Sequence, residues 1–132
     1  MTFRHYLRVR TASHRKDLIQ MVLGHHQLAV ERLRWNERNK PSLPRERRLC
    51  RFCQEKVEDP PHALFECMAN ADLIMRRNCF MCKVTSELPQ YATFYSDSWV
   101  LFRALLAEKK VIELFAKFAH EVLEIFYATE IV

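Results

Sequence analysis

Cys50, Cys53, His62 and Cys67 stand in the order C-x2-C-x8-H-x4-C. Three thiols and one imidazole at that spacing are the donors that close a tetrahedral zinc site. The C-x2-C turn offers two sulfurs from one tight knuckle, and the His-x4-Cys step supplies the other two donors from the start of a following helix. Four protein ligands leave no open position for a reacting water, so a site of this kind is structural. Three thiolates and a neutral imidazole leave the zinc-loaded set at about −1, and Arg47, Arg48, Arg51 and Lys56 lie beside the knuckle to offset it. Zinc binding in small peptides is worth about 10–16 kcal/mol. With a helical core available, the ion is expected to organise the central third of the chain.

Cys79 and Cys82 make a second C-x2-C pair. At helical spacing they read as core residues; a rival site would join them to Cys50 and Cys53, with a long spacer and with His62 unexplained. The other histidines, including the His25-His26 doublet, have no ligand pattern. Catalysis is the least expected activity. No cysteine has a recognisable base arrangement, Tyr95-Ser96-Asp97-Ser98 holds one carboxylate where paired metals need two adjacent ones, and His120-Glu121-Val122-Leu123-Glu124 lacks the second histidine of a metalloprotease helix.

The elements that must position the four ligands are helical. The chain has 132 residues, 49% of them apolar, and a single glycine, Gly24. That composition bounds it to about one folded domain and disfavours tight hairpins. Ser13 is a plausible N-cap for a helix bearing Leu18, Met21 and Val22, which Gly24 ends. Phe3 to Val9 suggests a short strand or arm, and the alternation around Leu28 and Val30 suggests an extended segment over 25–35. Residues 36–48, with Pro41, Pro44 and five Lys/Arg, form a loop by composition. After Pro60-Pro61 a helix is expected near His62, with one stripe of Leu64, Cys67, Met68, Ala71, Met75, Cys79 and Cys82. Asp97 or Ser96 caps a helix bearing Trp99, Phe102, Leu105 and Leu106. A further stripe runs through Ile112, Phe115, Phe118, Ala119, Val122, Ile125 and Phe126, with Glu113, Lys117 and Glu121 at four-residue steps opposite. The expected fold is mainly α: a helical domain with a small zinc knuckle and a basic loop, and at most one or two short strands. Three segments follow: a basic N-terminal segment (1–48), the knuckle and its helix (49–83), and C-terminal amphipathic helices (84–132).

Charge is divided unevenly. Residues 1–56 carry 14 Lys+Arg against 5 Asp+Glu, a net +9, while residues 57–132 carry 7 against 11, a net −4. A basic half joined to an acidic, apolar half suggests that one end meets a polyanion while the other packs; a solvated basic loop is the plainer alternative. Arg32, Arg34, Arg38, Lys40, Arg45, Arg47, Arg48 and Arg51 would neutralise phosphates of RNA or DNA, with Phe52 stacking on unpaired bases. Trp35 is a stacking or a core residue. Neither a secretion signal nor a membrane span is expected, so the five cysteines read as reduced thiols or ligands and the chain as intracellular, nuclear or cytoplasmic.

Residues 25–80 resemble the C-terminal tail of non-LTR (LINE-type) retrotransposon reverse transcriptases. The resemblance rests on His26-Gln27-Leu28-Ala29-Val30-Glu31, Arg34-Trp35, the basic run Arg45 to Arg48, Cys50-Arg51-Phe52-Cys53, Val57-Glu58-Asp59 and His62-Ala63-Leu64-Phe65-Glu66-Cys67. It implies a zinc-bound module that holds template RNA or target DNA during target-primed reverse transcription. Since no polymerase, endonuclease or RNase H carboxylate set is visible, it also implies a detached tail: a fragment, a degenerate reading frame or a domesticated protein. The competing class is a zinc-stapled interaction module. Five phenylalanines after residue 90 exceed what a short two-helix core hides, which favours a homodimer or a polymerase partner on the C-terminal helices.

Overall fold

The computed structural model describes residues 5–24, 26, 28–32, 42–93 and 97–129, the side chains of residues 31, 32 and 93 excepted. The chain is mainly helical, as its composition predicts. α1 (Ala12–Leu23), α2 (Ala29–Arg32), α3 (Ala71–Glu87), α4 (Ser98–Leu106) and α5 (Ile112–Tyr127) are joined by short 3-10 turns at His5–Arg8, Arg45–Arg47, Pro89–Thr93 and Lys109–Val111. Among the described residues the only extended pairing is one antiparallel bridge, Leu49 with Val57, at the root of the knuckle. No described helix is long and apolar enough to cross a membrane.

Local sequence explains three of the helix ends. Gly24 takes the left-handed conformation (φ 76°) that closes α1, its N–H bonding back to Gln20. Thr11, and not Ser13, is the N-cap residue of α1. Asn70 caps α3 by accepting from the Leu73 N–H at 3.1 Å, and Asp97 caps α4 by accepting from the Trp99 N–H at 2.7 Å. The His5–Arg8 turn stands where a strand or arm is expected, and Ala29–Arg32 is one helical turn where the alternation suggests an extended segment. Four residues are too few for periodicity to separate the two states. Trp35, like all of 33–41, lies outside the described residues.

α5 is the central element. It buries Ile112, Phe115, Ala116, Phe118, Ala119, Val122, Leu123 and Phe126, a stripe too wide for a single partner. α1, α3 and α4 pack around it. Phe115 meets three aromatic rings, Phe65 before α3, Phe80 of α3 and Phe102 of α4, at centroid distances of 6.3, 5.8 and 5.8 Å. Phe80 also stacks on Phe118 at 4.3 Å. The phenylalanines expected to overfill the core are therefore hidden in it; Phe94 lies outside the described residues. On α5, Glu113 accepts from the Arg10 N–H and Glu121 pairs with Arg76, so these carboxylates tie α5 to other elements.

The orientation of α3 differs from expectation. Its buried side carries Leu73, Arg77, Phe80 and Val84, whereas Met75, Cys79 and Cys82 face solvent. Nor does one helix run from His62 to Cys82: a turn over His62–Glu66 ends at Cys67, and α3 begins at Ala71. Both stripes of α3 have helical spacing, and the rings of α5 select the one bearing Phe80. In denaturant titrations of the metal-loaded protein, Phe115→Ala should lose about 3–5 kcal/mol. Met75→Ala on the outward face should stay within about 0.5 kcal/mol of the parent.

Candidate metal centre

The knuckle is a short hairpin around Cys50 and Cys53. Cys50 N–H donates to Lys56 C=O at 2.8 Å, and Gln54 N–H donates to Cys50 C=O at 2.9 Å. Gln54 makes the turn in the left-handed region, φ 54°. The chain then returns through Val57 to Glu58 and Asp59. Asp59 Oδ1 accepts from the His62 N–H at 2.9 Å and so starts the next turn just after Pro60-Pro61.

That turn, His62–Glu66, is wider than an α-helix. The Cys67 N–H donates to the His62 C=O five residues back, at 2.9 Å. Five residues advance an α-helix by about 140° past a full turn, which would send His62 and Cys67 to different sides. The wider turn returns them to one side, so the x4 spacing and the local backbone agree.

The four donors converge, each within 4.8 Å of the others. Cys50 Sγ and Cys67 Sγ are 3.8 Å apart, and Cys53 Sγ is 3.4 Å from His62 Nε2. A tetrahedral ion with zinc-type bonds separates two sulfurs by about 3.8 Å and a sulfur and a nitrogen by about 3.6 Å. The cluster thus has the size of a coordination shell and can hold a metal ion. Cys50, His62 and Cys67 are buried, and Cys53 is half-buried. Cys79 and Cys82 lie outside the group, on the outer face of α3, which removes the four-cysteine alternative.

Surrounding groups hold the ligands in place. His62 Nδ1 lies 3.4 Å from Glu66 Oε1, so a carboxylate stands behind the ring nitrogen that does not face the cluster. Arg77, off the expected stripe of α3, is buried against the wide turn. Its guanidinium donates to the carbonyls of Leu64 (2.7 Å) and Ala63 (3.4 Å). Burial pulls the Arg77 pKa down, while the charges of Cys67 and Glu66 oppose that shift. As a free thiol, Cys50 is pushed up by burial, against hydrogen bonds from the Cys53 and Phe52 backbone. Cys53 feels a smaller burial penalty and falls below its ordinary value, because backbone hydrogen bonds from Glu55 and Lys56 favour its thiolate.

Arg51 requires a correction. It is 8% exposed and forms a buried ion pair with Glu58, at 2.7 Å, so it is not available to a phosphate or to offset the cluster's charge. Its guanidinium also donates to the carbonyls of Phe126 (2.7 Å) and Thr129 (2.8 Å) at the end of α5. Glu58, fully buried, accepts from the Arg51 N–H at 2.7 Å and the Ala29 N–H at 2.8 Å as well. Phe52 is half-buried, edge-on to Phe126 at 4.8 Å, so it is no free stacking platform. Arg48 is half-buried and donates to the carbonyls of Leu43 and Val30. Arg45, which pairs with Asp59 at 3.1 Å, and Arg47 are exposed. Arg34, Arg38, Lys40 and the side chain of Arg32 lie outside the described residues. Glu58 and Arg77 were not among the sequence candidates. Glu58 sits five residues after Cys53 in an acidic pair, a trace that hints at a role without naming its partner.

Comparison with protein-family models, with curated proteins and with solved structures returned no match.

Native mass spectrometry of the metal-replete, reduced chain should find one bound ion at this centre, lost in Cys53→Ser and His62→Ala and kept in Cys79→Ser. Retention in His62→Ala would exclude the Cys3His set. Glu58→Gln leaves Arg51 buried without its counter-charge and should cost about 3–5 kcal/mol, read by denaturant unfolding of the metal-loaded protein.

Proposed function

We propose that this chain is a non-catalytic, zinc-dependent nucleic-acid-binding module of the kind found in the tail of LINE-type reverse transcriptases. The observation that carries the reading is the closed Cys3His cluster with outward basic residues on the same lobe. Arg45 and Arg47 precede the knuckle and Lys56 stands at its return, all three exposed. Zinc is the metal this donor set suits, since it accepts thiolate and imidazole together in a tetrahedron without redox chemistry. The ion would fix the hairpin and the wide turn, and so the direction in which the basic residues point. RNA or DNA would be held through its phosphates. With Arg51 and Phe52 engaged inside the fold, base stacking carries little of this binding.

A second reading, a protein-interaction or dimerisation module, is favoured by a different observation. α3 and the turn before it present Met75 and Met68 to solvent, 56% and 67% exposed, next to exposed Cys79 and Cys82. Methionine-rich surfaces adapt to apolar partners, such as a second copy or a polymerase.

The zinc-loaded chain should bind single-stranded RNA and duplex DNA in fluorescence anisotropy, with affinity falling steeply as salt rises. Arg45→Glu with Arg47→Glu should weaken binding to all sequences alike. The log–log salt slope should flatten by about 0.7–0.9 for each phosphate contact removed. Self-association in sedimentation, without salt-sensitive binding to either nucleic acid, would favour the second reading.

A further inference from the structure

α3 and α5 run antiparallel, with Arg76 beside Glu121 and Phe80 on Phe118, and leave an open hollow of about 240 Å³ along their outer seam. Phe80 and Phe118, 3% and 4% exposed, make its floor; exposed Met75 and half-buried Leu114 line its sides. From Met75 to Lys83 is about 12 Å along α3, a little over two turns. At Lys83 and Leu114 the hollow meets a second one between the same helices, and the two form a trough.

The charge around the first hollow runs against its surroundings. Residues 57–132 carry 7 Lys+Arg against 11 Asp+Glu. The hollow instead has three cations, Arg76, Lys83 and Lys117, against one carboxylate, Glu121, which Arg76 holds. Glu113, one turn before Lys117, accepts from the Arg10 N–H. Lys83 and Lys117 therefore stand exposed on opposite helices, with no ion pair among the described residues. In the second hollow Lys83 and Lys110 meet Glu87 and Glu113, an even balance, so the preference for an anion belongs to the first.

An open trough does not enclose a small ligand, whose sites bury most of its surface. An apolar floor between two cations matches an amphipathic helix with acidic flanks. Such helices seat side chains at i, i+3 or i+4 and i+7 in a groove, while charge complementarity selects the partner. Met75 adds a side chain that adapts to what covers it. A nucleic-acid backbone would use the two lysines and leave the apolar floor without a role.

Within the interaction reading, on which this rests, we propose that the trough between α3 and α5 docks an acidic amphipathic helix of a partner protein. Its apolar side chains lie over Phe80, Phe118 and Leu114, and its carboxylates pair with Lys83 and Lys117. Docking needs no nucleic acid.

The test is fluorescence anisotropy of the metal-loaded full chain with a labelled model helix of about 15 residues, leucine on one face and glutamate on the other. Wild type should bind it saturably. Lys83→Glu with Lys117→Glu should weaken binding by about tenfold or more, and Met75→Ala should weaken it as well. Arg103→Glu with Lys109→Glu, an equal change of charge outside the trough, should bind as wild type does. No saturable binding at millimolar peptide would overturn the proposal. So would equal binding of a probe with lysine in place of glutamate, equal loss in the two double variants, or displacement of the peptide by single-stranded RNA. Sedimentation separates this failure from that of the interaction reading: a dimer that forms while the peptide does not bind overturns the docking alone.

Discussion

The buried pair of Arg51 and Glu58 is the interaction through which the knuckle, the N-terminal segment and the C-terminal helix are held in one arrangement. Glu58 receives the Arg51 guanidinium and two backbone N–H groups, from Arg51 itself and from Ala29. Arg51 then spends its remaining donors on carbonyls at the end of α5. The Phe126 carbonyl lies in the last turn of α5 and that of Thr129 just beyond it, at the helix end where a cation is favoured. A buried ion pair is weak evidence for stability in itself, because desolvation offsets much of the attraction. Its consequence here is positional. Either charge is costly without the other, so the hairpin docks where both are satisfied, against the helix that carries the aromatic core.

An ion bound at the Cys3His cluster would share the work of folding the central third with the core. The wide turn puts Ala63 and Leu64 into the core, and together with the hairpin it must bring four donors to one point. An ion bound by three thiolates and an imidazole supplies free energy comparable to or larger than the net stability of a small domain. The wide turn is anchored from below as well. Phe65 reaches the rings around Phe115, and Arg77 holds the carbonyls of Ala63 and Leu64. Arg77 also lies near Cys67, where a cation moderates the negative charge that three thiolates bring. The basic residues Arg45, Arg47 and Lys56 stay outside this packing, exposed.

Much of the candidate site was legible in the residues alone. Ligand type and spacing are local properties: C-x2-C followed by a polar stretch suits a tight turn, and His-x4-Cys suits one helical turn. The wide amphipathic stripe of α5 and the caps at Gly24 and Asp97 were legible for the same reason. The role of Arg51 was not. Within a basic run it looks like its neighbours, and what distinguishes it is a carboxylate seven residues on and carbonyls some 75 residues on. Phe52 was misread in the same way, since nothing local places Phe126 beside it.

By itself, the sequence determined that this is a helical chain with a Cys3His knuckle, because helix periodicity, caps and ligand spacing are set by residues within a few positions of one another. It also determined that basic charge gathers ahead of the knuckle. Tertiary structure alone decided which face of α3 turns inward. Leu64, Cys67, Met68, Met75, Cys79 and Cys82 repeat at helical steps, and so do Leu73, Arg77, Phe80 and Val84; periodicity cannot rank two such stripes. Phe80 can stack on Phe118 and reach Phe115 only from the second face, and Arg77 can reach the carbonyls of the metal-binding turn only from there. Packing against α5 therefore buried an arginine and exposed two cysteines, the reverse of what their side-chain types alone would suggest.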